Sequence, residues 1–293
     1  MKLAYTEHHV QLYGRQTVKN IHFALAVIAY GDAEGISETL ESIALQDLDA
    51  GISLSVAVAR HHDSITEAGI RDALAGCTEN VTIVDIAAHD DANIMRCEAL
   101  PALAAVTPDQ ADWVWTLETG HRLYQRDSLQ ILAKTIRQNA YASVHAVHVC
   151  DATRSFNSGY IQHKTADELC QTFGYFEIFG NPSTLILRPA HYKFAFNNHL
   201  ADTAAAARRD EIWVSHHTHS QFMYLALSQT NTLMADLKLV DLEGGAEWTA
   251  PKENSEWFRI GREVIELAAA TGVTSKWNPH FFRYGTASLW SEL

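Results

Sequence analysis

Glu118 and His121 close an aromatic and β-branched run, Trp113-Val114-Trp115-Thr116-Leu117, with Thr119 and Gly120 between them. The run reads as a buried strand, and its polar end emerges at the strand's carboxyl edge, where open α/β sheets bind ligands. A carboxylate and an imidazole this close can hold a divalent cation, the nitrogen favouring manganese over magnesium. The same two residues also suit a turn cap and a surface histidine. Asp210-Glu211 forms a second group, opening a helix-like stretch from Glu211 to Ser228. A carboxylate there can act as a general base, or it can be an N-cap followed by a first-turn acid. His216, His217 and His219 fall within four residues on that stretch, and only 216 and 219 share a helical face. They read as a partial metal-ligand set or as polar residues on a half-exposed face. His61-His62, His145 and His148 read as loop and sheet-edge residues.

The elements that must position these groups follow an alternating order. Phe23–Tyr30 is a continuous apolar run closed by Gly31-Asp32, as in a strand buried on both faces. Ile36, Leu40, Ile43 and Ala44 then recur at helical spacing up to Gln46. Ile52–Ala59 reads as a strand, Ile65–Ala75 as a helix and Val81–Ala87 as a strand. After the loop His89–Asn93, Ile94–Val106 predicts a helix interrupted by Pro101, then comes the strand Trp113–Leu117 and the helix Ser128–Gln138. Strand and helix in alternation over about 140 residues argue for a doubly wound α/β sheet.

The second half is less regular. Ser143–Val149 predicts a strand, Phe156–Glu168 a loop excursion, and Phe173–Phe179 and Ser183–Leu187 strands around Gly180-Asn181-Pro182. Asp202–Arg209 is alanine-rich and helical, Met234–Leu242 reads as a late strand, and Glu256–Thr271 is an amphipathic helix before an aromatic tail, Trp277–Trp290.

Composition narrows the function. With 47% hydrophobic and 19% charged residues in 293, the chain is an ordinary globular protein. A formal net charge of -13 opposes non-specific binding to nucleic acid or anionic lipid, since counterion release needs clustered Lys and Arg. Cys77, Cys97, Cys150 and Cys170 show neither Cys-x-x-Cys nor zinc spacing and read as thiols in a reducing compartment. No apolar run is long enough for a transmembrane helix, and the polar amino terminus is no signal peptide. A cytoplasmic protein is expected.

The order of parts resembles the GT-A glycosyltransferases, especially the inverting family 2-like group. Ala26-Val27-Ile28-Ala29-Tyr30-Gly31 matches that family's first strand and polar turn, and Leu40-Glu41-Ser42-Ile43-Ala44-Leu45-Gln46 fits its Leu-x-Ser-Ile-x-x-Gln helix end. The resemblance runs over about residues 21 to 140. It implies a GT-A-like mixed sheet flanked by helices, in a single domain spanning 1–293. Residues 21–140 would bind the nucleotide sugar, 141–250 the acceptor, and 251–293 would be a carboxyl-terminal helix and tail. The donor would lie against Tyr30, Asp32, Asp63 and Arg96, with Asp63 in the place of the base-binding acids and Arg96 in that of the family's Arg-Asn pair. Trp113–Gly120 stands where the family has Leu-Asp-x-Asp. Two carboxylates there grip a divalent cation, Mn or Mg, that neutralises the departing diphosphate. In this chain Gly120 replaces the second one, leaving Glu118, His121 and a late histidine, His219 or His216, as the implied ligands. Asp210 or Glu211 would take the proton from the acceptor hydroxyl as its oxygen attacks the anomeric carbon.

The expected partners are a nucleotide sugar and a glycan, protein or small-molecule acceptor. Two other readings remain. The chain can be a non-catalytic descendant of the fold, a binding or scaffold protein. It can also be a metal-dependent hydrolase built on the histidine clusters.

Overall fold

A computed structural model describes residues 20–61, 64–87, 92–139, 144–152, 162–173, 178–196, 223, 226–227 and 230–243. Its centre is a nine-stranded mixed sheet. The first half builds the parallel part: β1 (Ile21–Ala29), α1 (Ala33–Ala44), β2 (Ile52–Arg60), α2 (Glu67–Leu74), β3 (Val81–Asp85), α3 (Ala92–Val106) and β4 (Trp113–Glu118). Next come β5 (Arg122–Leu123), α4 (Ser128–Asn139), β6 (Val144–Asp151), β7 (Gln162–Thr165), α5 (Ala166–Phe173), β8 (Leu185–Leu187), α6 (Pro189–Ala195) and β9 (Asn231–Asp241). The strand order is β3-β2-β1-β4-β8-β6-β9-β5, with β7 also paired to β9. β2 and β4 flank β1, both parallel to it, so the order reverses between β1 and β4. Such a reversal opens a crevice at the strands' carboxyl ends.

Two layers of core cover the sheet. Period-2 alternation along β4 sends Trp113, Trp115 and Leu117 to the face under α1, α2 and α4, with Ile36, Leu40, Ile70, Leu129 and Leu132. Val114 packs on the opposite face with Ala99, Leu100 and Leu103 of α3 and Tyr192 of α6. Thr116 belongs to that face too, its hydroxyl bonded to that of Tyr192 at 3.4 Å. Glu118, two residues further on, therefore points toward α3. β1 and β4 pair with Ile28 opposite Glu118, which brings Tyr30, just beyond β1, to the same crevice.

Four expectations are corrected. Pro101 does not interrupt α3, which runs continuously from Ala92 to Val106. A proline forfeits one intrahelical hydrogen bond, and the buried Ala99, Leu100, Leu103 and Ala104 hold the helix against the sheet. The Phe156–Glu168 loop excursion contains β7 and the start of α5. Phe173 ends α5 and residues 178–179 are helical, so the expected strand there is helical at both described ends. Ser183 and Thr184 lie in a 3-10 turn, leaving only Leu185–Leu187 as strand. These segments have mixed apolar content without a clear period, which does not separate a short helix from a short strand.

Cys77, Cys150 and Cys170 are thiols, not disulfides. Among the described residues, no helix is long and apolar enough to cross a membrane.

Candidate functional site

The crevice between β1 and β4 holds a cluster of three polar side chains. From α3, Arg96 lays its guanidinium along the Glu118 carboxylate. Nε donates to Oε1 and Oε2, each at 2.9 Å, and Nη2 lies 2.7 Å from Oε2. The Tyr30 hydroxyl donates to Glu118 Oε2 at 3.2 Å and accepts from Arg96 Nη2 at 3.0 Å. The Glu118 side chain is 0% exposed and that of Arg96 5%. At that depth an ion pair is barely screened, so each charge depends on the other.

The titration directions follow. Burial opposes charge on Arg96, but Glu118 overrides it, and the guanidinium is held protonated more firmly than usual. Burial, then the Glu118 charge, pushes the Tyr30 phenol well above its ordinary value, so it stays a neutral donor.

The turn after Glu118 is tied inward at every residue. Thr119 Oγ1 accepts from the Tyr30 N–H at 2.9 Å and lies 3.2 Å from the Ile28 carbonyl. The Gly120 N–H donates to Thr39 Oγ1 at 3.0 Å and to the Gly35 carbonyl at 3.2 Å. Gly120 has φ +83, a left-handed conformation that glycine adopts without steric cost. Gly35, opposite, is required by space, since a Cβ there would meet Thr119 Cγ2 at 2.9 Å. The His121 N–H closes the turn on the Glu118 carbonyl at 2.8 Å.

The His121 ring turns away from the cluster. Its Nδ1 lies 2.7 Å from Ser183 Oγ, and its buried Nε2 has no hydrogen-bond partner among the described residues. Burial holds this imidazole below its ordinary pKa, with Glu118 pulling the other way, so it is neutral near pH 7. Ser183 is placed by Asn181, whose side chain caps the 3-10 turn, and its carbonyl accepts from Trp115 Nε1 at 2.7 Å.

The structure thus joins Tyr30, Arg96 and Glu118, which the sequence distributes between a donor site and a metal site. Asp32 stands apart as the exposed N-cap of α1, accepting from the Gly35 N–H at 2.7 Å. Asp63, Asp210, Glu211, His216 and His219 lie outside the described residues. Arg60, beside the expected base-binding acids, is turned to Asp85 at 2.9 Å and to the Ile65 carbonyl. Trp113 and Trp115 are core residues, 1% and 0% exposed. The sequence reading missed the Arg96–Glu118 pairing. A carboxylate at an inward-facing position of a buried strand needs a cation, and Arg96 lies on the helix just before that strand, but the register that joins them is not written in the sequence.

A second charged group lies at the carboxyl ends of β6 and β9. Arg122 Nη2 pairs with Asp241 at 2.7 Å and Nη1 reaches Glu38 at 3.7 Å, while the buried Asp151 accepts from the Leu242 N–H at 3.3 Å.

Among the described residues, the donor set does not fit a divalent cation. Both Glu118 oxygens already serve Arg96, and His121 faces Ser183. Among the described residues, no three His, Cys, Asp or Glu side chains converge as a metal site would need.

No protein-family model matches the sequence, and no curated protein does. The fold has counterparts among solved structures. One is S. aureus TarS 1–349 in complex with UDP-GlcNAc, at 12% identity and a TM-score of 0.56, aligning 89% of this chain with 69% of that one. Another is the same TarS fragment in complex with UDP, at 14% identity and a TM-score of 0.54, with 89% and 68% aligned. The fold is accordingly GT-A-like, a large mixed sheet flanked by helices, shared with glycosyltransferase structures.

Proposed function

We propose that this chain is a glycosyltransferase that moves a sugar from a nucleotide donor to an acceptor hydroxyl. The observation that carries the reading is the position of the Tyr30–Arg96–Glu118 cluster. It lies where strand order reverses, in a fold whose counterparts bind UDP and UDP-GlcNAc. The donor lies over the carboxyl ends of β1 and β4 against Tyr30, Asp32, Asp63 and Arg96. Residues 21–140 form the donor half of a single domain and 141–250 the acceptor half. Asp210 or Glu211 takes the acceptor proton, the acceptor oxygen attacks the anomeric carbon, and the nucleoside diphosphate leaves with the bonding electrons. The acceptor is a glycan, a protein or another hydroxyl compound.

Thermal unfolding with UDP, GDP and their sugar conjugates tests this. A ligand bound only by the folded state raises the melting temperature with its concentration. An unchanged melting temperature with all of them would overturn the reading.

One observation favours a second reading, a non-catalytic binding protein on the same fold. All four residues from Glu118 to His121 are buried and bonded inward. Nucleotide binding with neither transfer nor donor hydrolysis would select that alternative.

A further inference from the structure

We infer that Arg96 occupies the role of the divalent cation in this crevice, with Glu118 as its buried counter-ion, and that the chain binds nucleoside diphosphates without a metal. This rests on the nucleotide-binding reading above. An ionised carboxylate offers about four lone-pair positions. Here its oxygens already meet Arg96 Nε, Arg96 Nη2 and the Tyr30 hydroxyl at 2.7 to 3.2 Å, with the side chain 0% exposed. A divalent ion seated on Glu118 would stand within a few ångströms of a guanidinium that burial cannot easily neutralise, and the two cations would repel.

Among the described neighbouring positions the one ligand atom left over is the buried His121 Nε2, and a single nitrogen is no cation site. Thr119 spends its hydroxyl on Tyr30 and Ile28, and the His121 Nδ1 faces Ser183. Gly120 sits at φ +83 with its N–H donated twice, a backbone that disfavours any side chain. The loss of a carboxylate at 120 is therefore built into the turn, and the positive charge that remains at the switch point is fixed and covalent. Glu118 acts through Arg96, as a positioning residue.

The test uses the full chain. Mn2+ is titrated into wild type and Arg96→Gln/Glu118→Gln with free Mn2+ followed by electron paramagnetic resonance. UDP and GDP are titrated calorimetrically in EDTA and in MnCl2. The expected results are identical Mn2+ curves for both proteins, equal nucleotide affinity in both buffers, and a loss of at least about tenfold in nucleotide affinity for Arg96→Gln/Glu118→Gln. That double variant removes both charges together, so it strands neither of them in the core. Mn2+ affinity that depends on Glu118, or nucleotide binding in MnCl2 alone, overturns the inference. Nucleotide binding in neither buffer overturns the underlying reading instead, while the Mn2+ curves still decide the role of Glu118.

Discussion

At the carboxyl end of β4, Arg96 lies against a carboxylate; at its amino end, Arg188 lies over the ring of Trp113, Cζ 4.0 Å from the centroid. Arg96 has a formal counter-charge, and its proton is held more tightly than usual. Arg188 has a π face and the carbonyls of Val144 and Asp112, each at 3.4 Å, and burial pushes its pKa down, with Asp112 only partly opposing. Both arginines are accommodated, by different physics. A π face and two long hydrogen bonds suffice for a half-buried cation that anchors β4 to β6 and α6. A buried ion pair is a poor way merely to stabilise a fold, since well-packed apolar residues often do as well. Its place at the ligand edge of the sheet is consistent with a cation positioned for use.

The largest expected effect separates the two ends. Glu118→Gln leaves Arg96 buried without its counter-charge, a defect that costs about 3–5 kcal/mol. Urea denaturation reads it as a lower midpoint at constant slope. Arg96→Met/Glu118→Met should recover most of that loss, because neither charge is then stranded. A double variant as unstable as the single one would show that a stranded Arg96 charge is not the source of the loss.

Gly120 extends the comparison to the turn beside the pair. Gly120→Ala forces a Cβ into a left-handed backbone and should cost about 1–2 kcal/mol. Gly120→Asp adds a buried carboxylate to the same strain and should be worse, with no gain in Mn2+ affinity. Tighter Mn2+ binding by Gly120→Asp would show that the turn tolerates a carboxylate ligand after all.

The two ends of β4 also differ in what the sequence disclosed. β1 to β4 were legible because each is a largely apolar or alternating run bounded by turn residues. Tyr30 and Arg96 were singled out through the resemblance. The pairing of Arg96 with Glu118 was not, because it depends on register: Ile28 opposite Glu118 aims the carboxylate at α3. At the amino end the strands were foreseen in part, Leu185–Leu187 lying within the expected Ser183–Leu187, but α6 and the stacking of Arg188 on Trp113 were not. The helix α6 that carries His191 is seven residues of mixed polarity, and β8 is three residues long, both too short for a hydrophobic period to show. The residues expected to act on the acceptor, Asp210 and Glu211, lie outside the described residues and stay a proposal.

A smaller effect is expected from Arg188→Met. The methylene stem is kept and the stacking lost, so the cost should be about 1 kcal/mol, the scale of a partly desolvated cation–π contact. Chemical denaturation beside Glu118→Gln measures the ratio. If Arg188→Met costs as much as Glu118→Gln, then the contrast between a charge partner and a π partner is wrong.

The mildest effect is one of pH, and at the amino end it can be traced to one residue. The rings of His145 and His191 lie 4.4 Å apart, and the buried Nδ1 of His191 has no hydrogen-bond partner among the described residues. Burial, then His145 and Arg188, pushes the His191 pKa down to about 4, and burial and Arg188 lower that of His145. An unfolded histidine takes its proton near pH 6.5. Between about pH 6.5 and pH 4 the unfolded chain therefore binds a proton that the folded chain refuses, and stability falls as pH falls. Above that window both states are neutral at this site and the slope vanishes. His22 and His121 shift in the same direction, so the wild-type slope alone does not isolate His191. The informative quantity is the difference between wild type and His191→Gln, which cannot titrate. Their urea midpoints should converge as the solution is acidified through the window, with His191 half-exposed and the effect correspondingly modest. Midpoints that stay parallel would mean that neither burial nor the nearby His145 and Arg188 lowers the His191 pKa, and that the amino end of β4 holds its charges without conflict.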